Sequence, residues 1–368
     1  MPTSGIVVTE GANQAHHELY VDGVSVSELW VVYRTMRIGG ATVRMGGIAS
    51  VGTLKEHRNR GYSRRVLENC TEWMAAQGFD CATLFGIPDY YHRFGYAPCL
   101  IDCELTIATR RAERAEPRRT RRPFTPEDRP ALARIYAEQN ARQTGSVERS
   151  ADSEWFAHGS SWYQRTEAWV FCDPTGRPAA YAARDASDEA VTVCDLGAAT
   201  AADYADILRW AADCAIELRC GEIRFHLPLG HPFADYAAHF GARVTATYHP
   251  DSDGMGRILN LEPFLRAIAP ELATRARAAD ASPGSVRLET DLGASVLTWD
   301  GAAVGATAGG EAQSTVRLPQ HRLMQAAMGY HSGEIVLALP EVSLEGDGAL
   351  FRALFPHRPG YMWLPDHF

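Results

Sequence analysis

The stretch Val51–Arg65, with the sequence VGTLKEHRNRGYSRR, constrains the fold of this chain most. It has the pattern of a short strand, a basic turn that contains a glycine, and the start of a helix. Its central residues Arg58-Asn59-Arg60-Gly61-Tyr62-Ser63 fit the pattern Arg/Gln-x-x-Gly-x-Gly/Ala, with Ser63 in the last small position. Such a turn presents successive backbone N–H groups to an anion, and the helix behind it adds its positive dipole end. The stretch therefore predicts a strand, a pyrophosphate-binding turn and a helix in succession.

The side chains of this basic turn, Arg58–Ser63, suit the same purpose. Gly61 permits a positive φ and a close approach of the backbone to a ligand. Arg58 and Arg60 can make charge-assisted contacts with a phosphate. A basic turn before an amphipathic helix is also common on solvated surfaces, so the turn alone leaves both interpretations open.

The segments on either side of the basic turn favour the phosphate-binding interpretation. Two predicted strands, Leu29–Arg37 and Ala41–Ile48, precede it and are joined at the hairpin signal Gly39-Gly40. A predicted helix and an apolar strand follow it, and after them comes the segment YYHRFGY, in this order: Arg64–Gln77, Cys81–Gly86, Tyr90–Tyr96. The order strand, phosphate turn, helix, strand, Tyr-x-x-x-Gly-Tyr resembles the core of the GNAT acyl-CoA N-acyltransferases over residues 30–100.

Composition limits the class of protein. With 368 residues the chain is expected to form two or three domains, and its 46% hydrophobic content supports sizeable cores. No apolar run approaches the roughly 18 residues of a membrane span, and no signal peptide is visible at Met1, so we expect a cytoplasmic protein without a membrane partner. The net charge of −9 argues against nucleic acid and is compatible with a cationic small substrate.

The metal-ligating residue types show no motif. The eight cysteines are scattered through mostly apolar runs without a CxxC pair, which indicates free thiols in a reducing compartment. The nearest pair, Cys99 and Cys103, is expected on one strand or at its end. The 13 histidines include no His-Glu-x-x-His pattern, so no metal site is expected.

Three segments are expected along the chain, with the limits 1–108, 124–258 and 259–368. Seven arginines between Arg110 and Arg122 indicate an exposed connection after the first segment, rather than a nucleic-acid surface, because aromatic residues are not interleaved with them. The second segment opens at Thr125–Asp128, where Thr125 is the predicted N-cap. It repeats the strand, helix and strand order of the first.

The second and third segments differ from the first in what they are predicted to bind. Where the phosphate turn should fall, Asp195–Thr200 contains no arginine, so the second segment is expected to be a degenerate copy that does not hold CoA well. In the third segment, a helix at Leu261–Ile268, several strands and helices at Arg322–Gly329 and Ala349–Phe355 predict an α+β domain.

This three-part order resembles the Eis (enhanced intracellular survival) family, in which a GNAT domain is followed by a degenerate GNAT-like domain and a sterol-carrier-like α+β domain. The segment Leu318–Tyr330 looks like the helix of that last domain. The resemblance implies an acetyl-CoA-dependent N-acetyltransferase that acts on a primary amine of a cationic, aminoglycoside-like small molecule. It also implies a homo-oligomer, either a trimer or a hexamer.

The resemblance assigns roles to particular residues. The backbone groups of Val51 and Thr53, on a strand that splays from its neighbour, would bind the pantetheine arm and the thioester oxygen. Tyr91, four residues before Gly95, would be the general acid; a phenol with a pKa of about 10 stays neutral at pH 7. The α-carboxylate of Phe368 would be the base, with Asp366 and His367 as alternative bases, and Tyr90 is the alternative acid.

The cofactor-binding residues are then those of the strand end and the basic turn: Val51, Thr53, Arg58, Asn59, Arg60, Gly61, Tyr62 and Ser63.

The N-terminal part departs from the family pattern. A full GNAT domain begins with a strand and two helices, whereas here only 17 residues precede the predicted strand near Glu18–Val26, and residues 5–17 show little helical pattern. We therefore expect the first strand and the two helices, which wall the acceptor pocket, to be missing. Two alternatives follow: a repurposed scaffold that binds CoA or a lipid without catalysis, or a natural-product biosynthetic enzyme with a different reaction.

Overall fold

The computed structural model describes residues 4–153, 166–186 and 190–368, which form two compact units. The first unit comprises the described part of Met1–Leu100 together with His249–Gly360 and Phe368. The second comprises the described parts of Ile101–Tyr248 together with Tyr361–His367.

The described residues contain nineteen strands, which are numbered in chain order. They are β1 (Ser4–Glu10), β2 (Gln14–Val21), β3 (Val24–Ile38), β4 (Ala41–Thr53), β5 (Cys81–Gly86), β6 (Ala97–Pro98), β7 (Asp102–Ala108), β8 (Thr120–Pro123), β9 (Thr166–Cys172), β10 (Pro178–Asp185), β11 (Val191–Ala198), β12 (Glu222–His226), β13 (Arg243–Thr247), β14 (Asp253–Ile258), β15 (Gly284–Thr290), β16 (Gly293–Trp299), β17 (Val304–Thr307), β18 (Ser314–Arg317) and β19 (Ser343–Glu345).

The same residues contain nine α-helices and several short 3₁₀ turns. The helices are α1 (Tyr62–Ala76), α2 (Thr109–Ala112), α3 (Arg129–Gln139), α4 (Tyr204–Glu217), α5 (Pro232–Ala238), α6 (Leu261–Ala278), α7 (Gln320–Ala327), α8 (Gly333–Leu337) and α9 (Ala349–Leu354). Within the described residues, no helix is both long enough and apolar enough to cross a membrane.

The first unit is built on a mixed sheet with the strand order β1-β2-β3-β4-β5-β14-β6. The predicted hairpin at Gly39-Gly40 is confirmed: β3 and β4 are antiparallel, and Gly39 has a φ of 57°. The predicted strand–helix–strand unit is also confirmed, because β4 and β5 are parallel and α1 connects them. The helix begins at Tyr62, two residues earlier than predicted.

Helix α1 covers one face of this sheet. Its buried residues Val66, Leu67, Cys70 and Met74 belong to the core of the unit. At the point of contact with β4, a Cβ on Gly46 would overlap the side chain of Met74, so the close approach requires glycine.

The N-terminal residues form a hairpin. β1 and β2 are antiparallel, and the short connection 11–13 joins them, so no helix lies between these two strands. On β2, Ala15, His17 and Leu19 are buried, whereas the alternate side chains point to the other face. The described residues 4–21 therefore form two paired strands.

A second sheet in the first unit has the order β17-β16-β15-β18-β19 and is accompanied by α6–α9. α6 runs to Ala278, ten residues beyond the predicted helix, because its buried stripe continues through Leu272 and Ala276. Two buried polar side chains tie this part of the unit to the first sheet. Glu271 accepts a bond from the Gly40 N–H at 3.0 Å, and Gln320 donates to the Gly95 carbonyl at 2.6 Å.

The second unit has one sheet, with the order β13-β7-β12-β11-β10-β9-β8. It repeats the arrangement of the first unit, since β11 and β12 are parallel and α4 connects them. The capping box predicted at Thr125 is confirmed, and the Asp128 carboxylate accepts a bond from the Thr125 N–H at 2.9 Å.

Strand pairing does not follow the limits 1–108, 124–258 and 259–368. β7 pairs with β12 and β13 in the second unit, and β14 pairs with β5 and β6 in the first. Two glycines of β14 make its place in the first sheet possible. A Cβ on Gly254 would lie 2.6 Å from the Leu100 side chain, and a Cβ on Gly256 would lie 2.6 Å from the Cys99 side chain. Cys99 and Cys103 accordingly fall outside one common strand, because β6 ends at Pro98 and β7 begins at Asp102.

The arginine-rich segment is more ordered than the exposed connection expected from its charge. It contains the end of β7, helix α2 and strand β8, all within the second unit. Three of its arginines form ion pairs with aspartates: Arg119 with Asp203 at 2.8 Å, Arg121 with Asp213 at 2.6 Å and Arg122 with Asp128 at 2.6 Å. The prediction of free thiols is confirmed: none of the eight cysteines, all of which lie in the described residues, forms a disulfide, and Cys214 and Cys220 are the two that are partly exposed.

Candidate functional site

The basic turn directly follows β4 in the first unit. After a short 3₁₀ turn at Lys55–His57, Asn59 and Gly61 adopt the left-handed conformation with φ values of 62° and 76°. Left-handed residues within a turn direct successive N–H groups to one side and so form a concave anion site. The predicted turn is therefore present and contains two left-handed residues.

The charges around the basic turn are available to a ligand. Arg58 and Arg60 are exposed, and neither forms an ion pair with another described residue. Arg58 Nε donates to the Thr53 carbonyl at 3.2 Å, which fixes the side chain beside the strand end. Lys55, the one lysine of the sequence, lies in the preceding 3₁₀ turn. Helix α1 has no acidic residue in its first turn and no side-chain cap.

The small side chain at Ser63 has a local role. Its hydroxyl forms a 2.6 Å hydrogen bond with the Tyr90 hydroxyl, which connects the start of α1 to the segment after β5. Tyr62 begins the helix, and its ring lies 6.2 Å from that of His57. Ser63 therefore positions Tyr90, the alternative acid.

Val51 and Thr53 lie where β4 has parted from β5. The parallel pairing ends at Ile48 and Leu84, whereas β4 continues to Thr53 beside β3 alone. A bulge falls between these regions, and Ser50 has a positive φ of 51° there. The side of β4 that faces β5 is therefore without a strand partner at Val51–Thr53. The family resemblance predicted that β4 splays from its neighbour, but no sequence pattern indicated the positive φ of Ser50.

Tyr91 begins a 3₁₀ turn, Tyr91–Phe94, that ends at the left-handed Gly95. Its ring is 8% exposed and meets the Tyr90 ring edge to face at 4.9 Å. A Cβ on Gly86 would lie 2.8 Å from this ring. The Tyr91 hydroxyl has no hydrogen-bond partner in the described part of the chain, and burial raises the pKa of Tyr91 to about 12. The phenol is therefore neutral at pH 7 and has a proton to donate.

The Phe368 ring lies against β4 and β5 on the face opposite α1. It meets Phe85 edge to face at 5.7 Å. A Cβ on Gly47 would be only 2.5 Å from the Phe368 ring, so glycine is required at this point of contact. Gly47 pairs with Thr83 one step before the two strands part. The ring of Phe368 is thus at the splay, as a docked tail requires.

The two alternative bases in the tail are engaged elsewhere. Arg149 donates to both carboxylate oxygens of Asp366 at 2.8 Å within the second unit. His367 is partly buried there, its Nε2 is 3.2 Å from the Met362 carbonyl, and desolvation lowers its pKa to about 3. The His367 imidazole is therefore a poor proton acceptor, and the Asp366 carboxylate is already bound by Arg149.

The corresponding turn of the second unit is filled by carboxylates of its own chain. Asp203 forms a capping box with Thr200, and the Thr200 N–H and hydroxyl donate to it at 3.1 and 2.8 Å. The Asp206 carboxylate accepts bonds from the Arg118 and Arg119 N–H groups at 2.7 Å. On β11, the fully buried Asp195 pairs with Arg149 at 2.5 Å. These contacts leave the second turn acidic, whereas the first is basic.

One group of ionisable side chains in the first unit was not predicted. His16, Glu18 and Glu28 come together on β2 and β3, where their ligand atoms lie within 4.8 Å of one another. The signal in the sequence is weak, because the group depends on the register between two strands. It lies on the same face of the sheet as Phe368.

Comparison with known proteins agrees with this geometry. Residues 15–99 match the family model described as "Acetyltransferase (GNAT) domain". This match lies within the first unit. No curated protein sequence matches the chain significantly.

Solved structures resemble the chain over nearly its whole length. A conserved protein of unknown function from Enterococcus faecalis V583, titled a probable N-acyltransferase, is 15% identical with a TM-score of 0.80, and the match covers 100% of both chains. A GCN5-related N-acetyltransferase from Kribbella flavida is 15% identical with a TM-score of 0.73, covering 96% of this chain and 87% of that one. Eis1 from Mycobacterium abscessus is 18% identical with a TM-score of 0.64, covering 96% and 90%. At these identities the likeness establishes a GNAT-type α/β fold with several mixed sheets.

Proposed function

We propose that this protein binds acetyl-CoA and transfers the acetyl group to a primary amine of a cationic, aminoglycoside-like small molecule. The observation that carries the proposal is the basic turn Arg58–Ser63, which is open, positively charged and directly behind a parted strand. The GNAT match over residues 15–99 supports the acyl donor, and the net charge of −9 is compatible with a cationic acceptor.

The residues of the basic turn and of the β4 edge match successive parts of acetyl-CoA, the acyl donor. The N–H groups of Asn59–Ser63 and the start of α1 suit a pyrophosphate, with Arg58 and Arg60 balancing its charge. The edge of β4 that has left β5, at Val51–Thr53, suits the amide groups of a pantetheine arm. Acetyl-CoA supplies a thioester, which would lie beside this strand edge.

Two groups would manage protons in the transfer. Tyr91 donates the proton that the departing sulfur needs, because its phenol is buried and has no competing hydrogen-bond partner among the described residues. In a chain whose last residue is Phe368, the terminal carboxylate binds the acceptor ammonium or orients a water beside it. The contact of the Phe368 ring with Phe85 supports this placement.

The finer relationship to the Eis family is part of the same proposal. Residues 124–258 would be a degenerate GNAT-like domain, and residues 259–368 would be a sterol-carrier-like domain. We also propose a homo-oligomer, trimer or hexamer, in a reducing compartment such as the cytoplasm, which the eight free thiols favour. Light scattering at micromolar concentration tests the assembly, and a monomer would contradict it.

Calorimetric titration with acetyl-CoA tests the donor half. The wild type should bind with micromolar affinity, and Arg58→Ala/Arg60→Ala should weaken binding by about 10²-fold or more, since each charge-assisted contact contributes about 1.5–3 kcal/mol. Arg142→Ala/Arg177→Ala, which removes two exposed arginines of the second unit, is the matched control. No binding by the wild type would refute the proposal.

A thiol-release assay with a panel of amines tests the acceptor half, and mass spectrometry identifies the product. Release of thiol and addition of one acetyl group to an aminoglycoside or a related polyamine is the expected result. Tight CoA binding without thiol release would favour the non-catalytic alternative. A product with a different mass change would favour a biosynthetic reaction.

A further inference from the structure

The cluster formed by His16, Glu18 and Glu28 has the geometry of a proton relay. His16 Nε2 is 2.8 Å from Glu28 Oε2, and His16 Nδ1 is 3.5 Å from Glu18 Oε2. The imidazole thus stands between two carboxylates, with one nitrogen directed to each. An imidazolium in this place would be stabilised from both sides.

Neighbouring side chains hold the cluster in place. The His16 ring is stacked on Trp30, with ring centres 4.0 Å apart and planes 7° from parallel. The second oxygen of Glu18 accepts hydrogen bonds from the Tyr20 and Ser25 hydroxyls at 3.2 and 3.1 Å. Glu28 is the member left half exposed, so it is the one that can meet a substrate.

Strand register places Glu28 next to the parted strand. Glu28 lies opposite Gly52 of β4, and a Cβ on Gly52 would be 3.9 Å from the Glu28 side chain. Gly52 adjoins Val51, where the thioester is proposed to lie. Glu28, Trp30 and Val32 are every second residue of β3, so their side chains lie on one face of the sheet. Val32 pairs with Gly47, against which the Phe368 ring packs, so the cluster and this ring share a face.

The charge of the cluster is not balanced by basic residues. Glu18 and Glu28 form ion pairs only with His16 in the part of the chain that the structure describes. Two carboxylates and one imidazole leave a net negative charge whether or not the imidazole is protonated. A small cation is the ligand that such a surface favours.

We propose that Glu28 binds the ammonium group of the acceptor and passes its proton to His16, while Glu18 stabilises the resulting imidazolium. This step rests on the proposed acetyl transfer. One ammonium proton goes through Glu28 to His16 and on to solvent. The amine nitrogen then forms a C–N bond with the thioester carbon as the C–S bond breaks, Tyr91 protonates the sulfur, and the second proton lost by the nitrogen restores Tyr91.

The relay offers the proton a longer route than a terminal carboxylate acting alone. The proton passes from Glu28 to an imidazole that a second carboxylate faces from the other side. The charged and titratable groups around His16 belong to β1, β2 and β3: Glu10, His17, Glu18, Tyr20 and Glu28. Phe368 then keeps the role of binding or orienting the acceptor.

The orientation of the imidazole favours an ammonium over a metal ion. A metal would need one nitrogen of His16 and both carboxylates to converge on a single point. Here the two carboxylates approach different nitrogens, and Glu18 is further engaged by two hydroxyls. Zinc binding is therefore an outcome that the test must separate from amine binding.

A nuclear magnetic resonance titration tests the binding step without acetyl transfer. Spermidine at millimolar concentration, without acetyl-CoA, is added to protein labelled in its histidine rings, and His16→Asn assigns the His16 signals. Spermidine should shift these signals in the wild type and in the matched control Glu10→Gln. Glu28→Gln should weaken the effect at least tenfold. Unchanged His16 signals, or a response to micromolar Zn²⁺ without one to spermidine, would overturn the proposal.

Kinetics test the proton transfer. Glu28→Gln and His16→Asn should each lower kcat/KM by on the order of 10²-fold and should remove the acidic limb of its pH profile, as loss of a general base does. Glu10→Gln should keep both rate and profile. An unchanged pH profile in either cluster variant, with normal melting, would overturn the relay. If the wild type acetylates no amine, the proposed function and the relay both fail, whereas the spermidine titration still decides whether the cluster binds an ammonium.

Discussion

The two strand–turn–helix elements of this chain share their topology and differ in what occupies the start of the helix. In the first unit, left-handed residues Asn59 and Gly61 precede an uncapped helix with no acidic residue in its first turn. In the second, Asp203 caps the segment that leads into α4, and Asp206 binds backbone N–H groups of the arginine-rich segment. One topology thus serves either to present N–H groups to a ligand or to satisfy them internally.

The difference has an energetic reason. A side-chain N-cap stabilises a helix by about 0.5–2 kcal/mol, because it satisfies N–H groups that otherwise have no partner. The first unit gives up this stabilisation, and a negatively charged ligand is what would restore it. The second unit keeps it and adds the ion pair between Arg119 and Asp203. The first turn is therefore suited to binding and the second to stability.

The largest effect is expected at Arg149, in the second unit. Its guanidinium pairs with the buried Asp195 and with Asp366, at 2.5 and 2.8 Å. Arg149→Met would leave two carboxylates without their cation, so the free energy of unfolding should fall by about 3–5 kcal/mol. Urea denaturation measures this, with the exposed Arg142→Met as the control. A loss below about 1 kcal/mol would show that the buried pair does not hold the unit together.

Acid should weaken the second unit through His367. Its pKa is lowered to about 3 in the folded protein, against about 6.5 when unfolded. Below pH 6.5 the unfolded state therefore binds a proton that the folded state does not, and stability falls with pH, by roughly 3 kcal/mol between pH 6.5 and 4. His367→Asn should flatten this part of the stability curve, and the exposed His239→Asn should not. Equal slopes in the wild type and His367→Asn would contradict the assignment.

Tyr91 and Tyr236 occupy comparable segments, each followed by a left-handed glycine, Gly95 or Gly241. Tyr91→Phe removes the proton donor and should lower kcat on the order of 10²-fold with little change in CoA affinity. Tyr236→Phe should leave kcat unchanged, because the second turn is acidic and filled. Thiol release under saturating acetyl-CoA compares the two variants. Equal turnover of Tyr91→Phe and wild type would remove Tyr91 from the mechanism.

Introducing the capping carboxylate of the second unit into the first should weaken CoA binding and stabilise the start of α1. Arg64 is the third residue after Gly61, which precedes α1, just as Asp203 is the third residue after Thr200 in the second unit. Arg64→Asp therefore places a carboxylate near the Gly61 N–H, in the way that Asp203 lies near the Thr200 N–H. CoA affinity should fall by about tenfold or more through charge reversal, while thermal stability should stay equal or rise slightly. Arg64→Ala separates loss of the cation from gain of the carboxylate. Unchanged affinity in Arg64→Asp would mean that the ligand does not approach the helix start.

Local signals made the first unit predictable. The Gly39-Gly40 turn, the basic turn and the apolar run Cys81–Gly86 each specify structure within a few residues, and all three lie where predicted. The capping box at Thr125 was found for the same reason. Thr200-Ala201-Ala202-Asp203 carries the same pattern, so the cap of the second unit was also readable from the sequence.

Features that depend on distant register were not predictable. The exchange of β7 and β14 between the two sheets is decided by strand pairing more than 100 residues apart in sequence. The cluster of His16 and Glu28 exists only because His16 lies opposite Trp30. The fit of Phe368 against Gly47 likewise brings together two residues that lie far apart in sequence. No local pattern contains such information.

Hydrogen exchange measured by mass spectrometry, with and without saturating acetyl-CoA, tests the central contrast most directly. The account predicts slower exchange in peptides that span Arg58–Val66, because the ligand would satisfy the exposed N–H groups of the basic turn, and no change in peptides that span Ala199–Ile207. Protection of the second turn, or of neither turn, would contradict it.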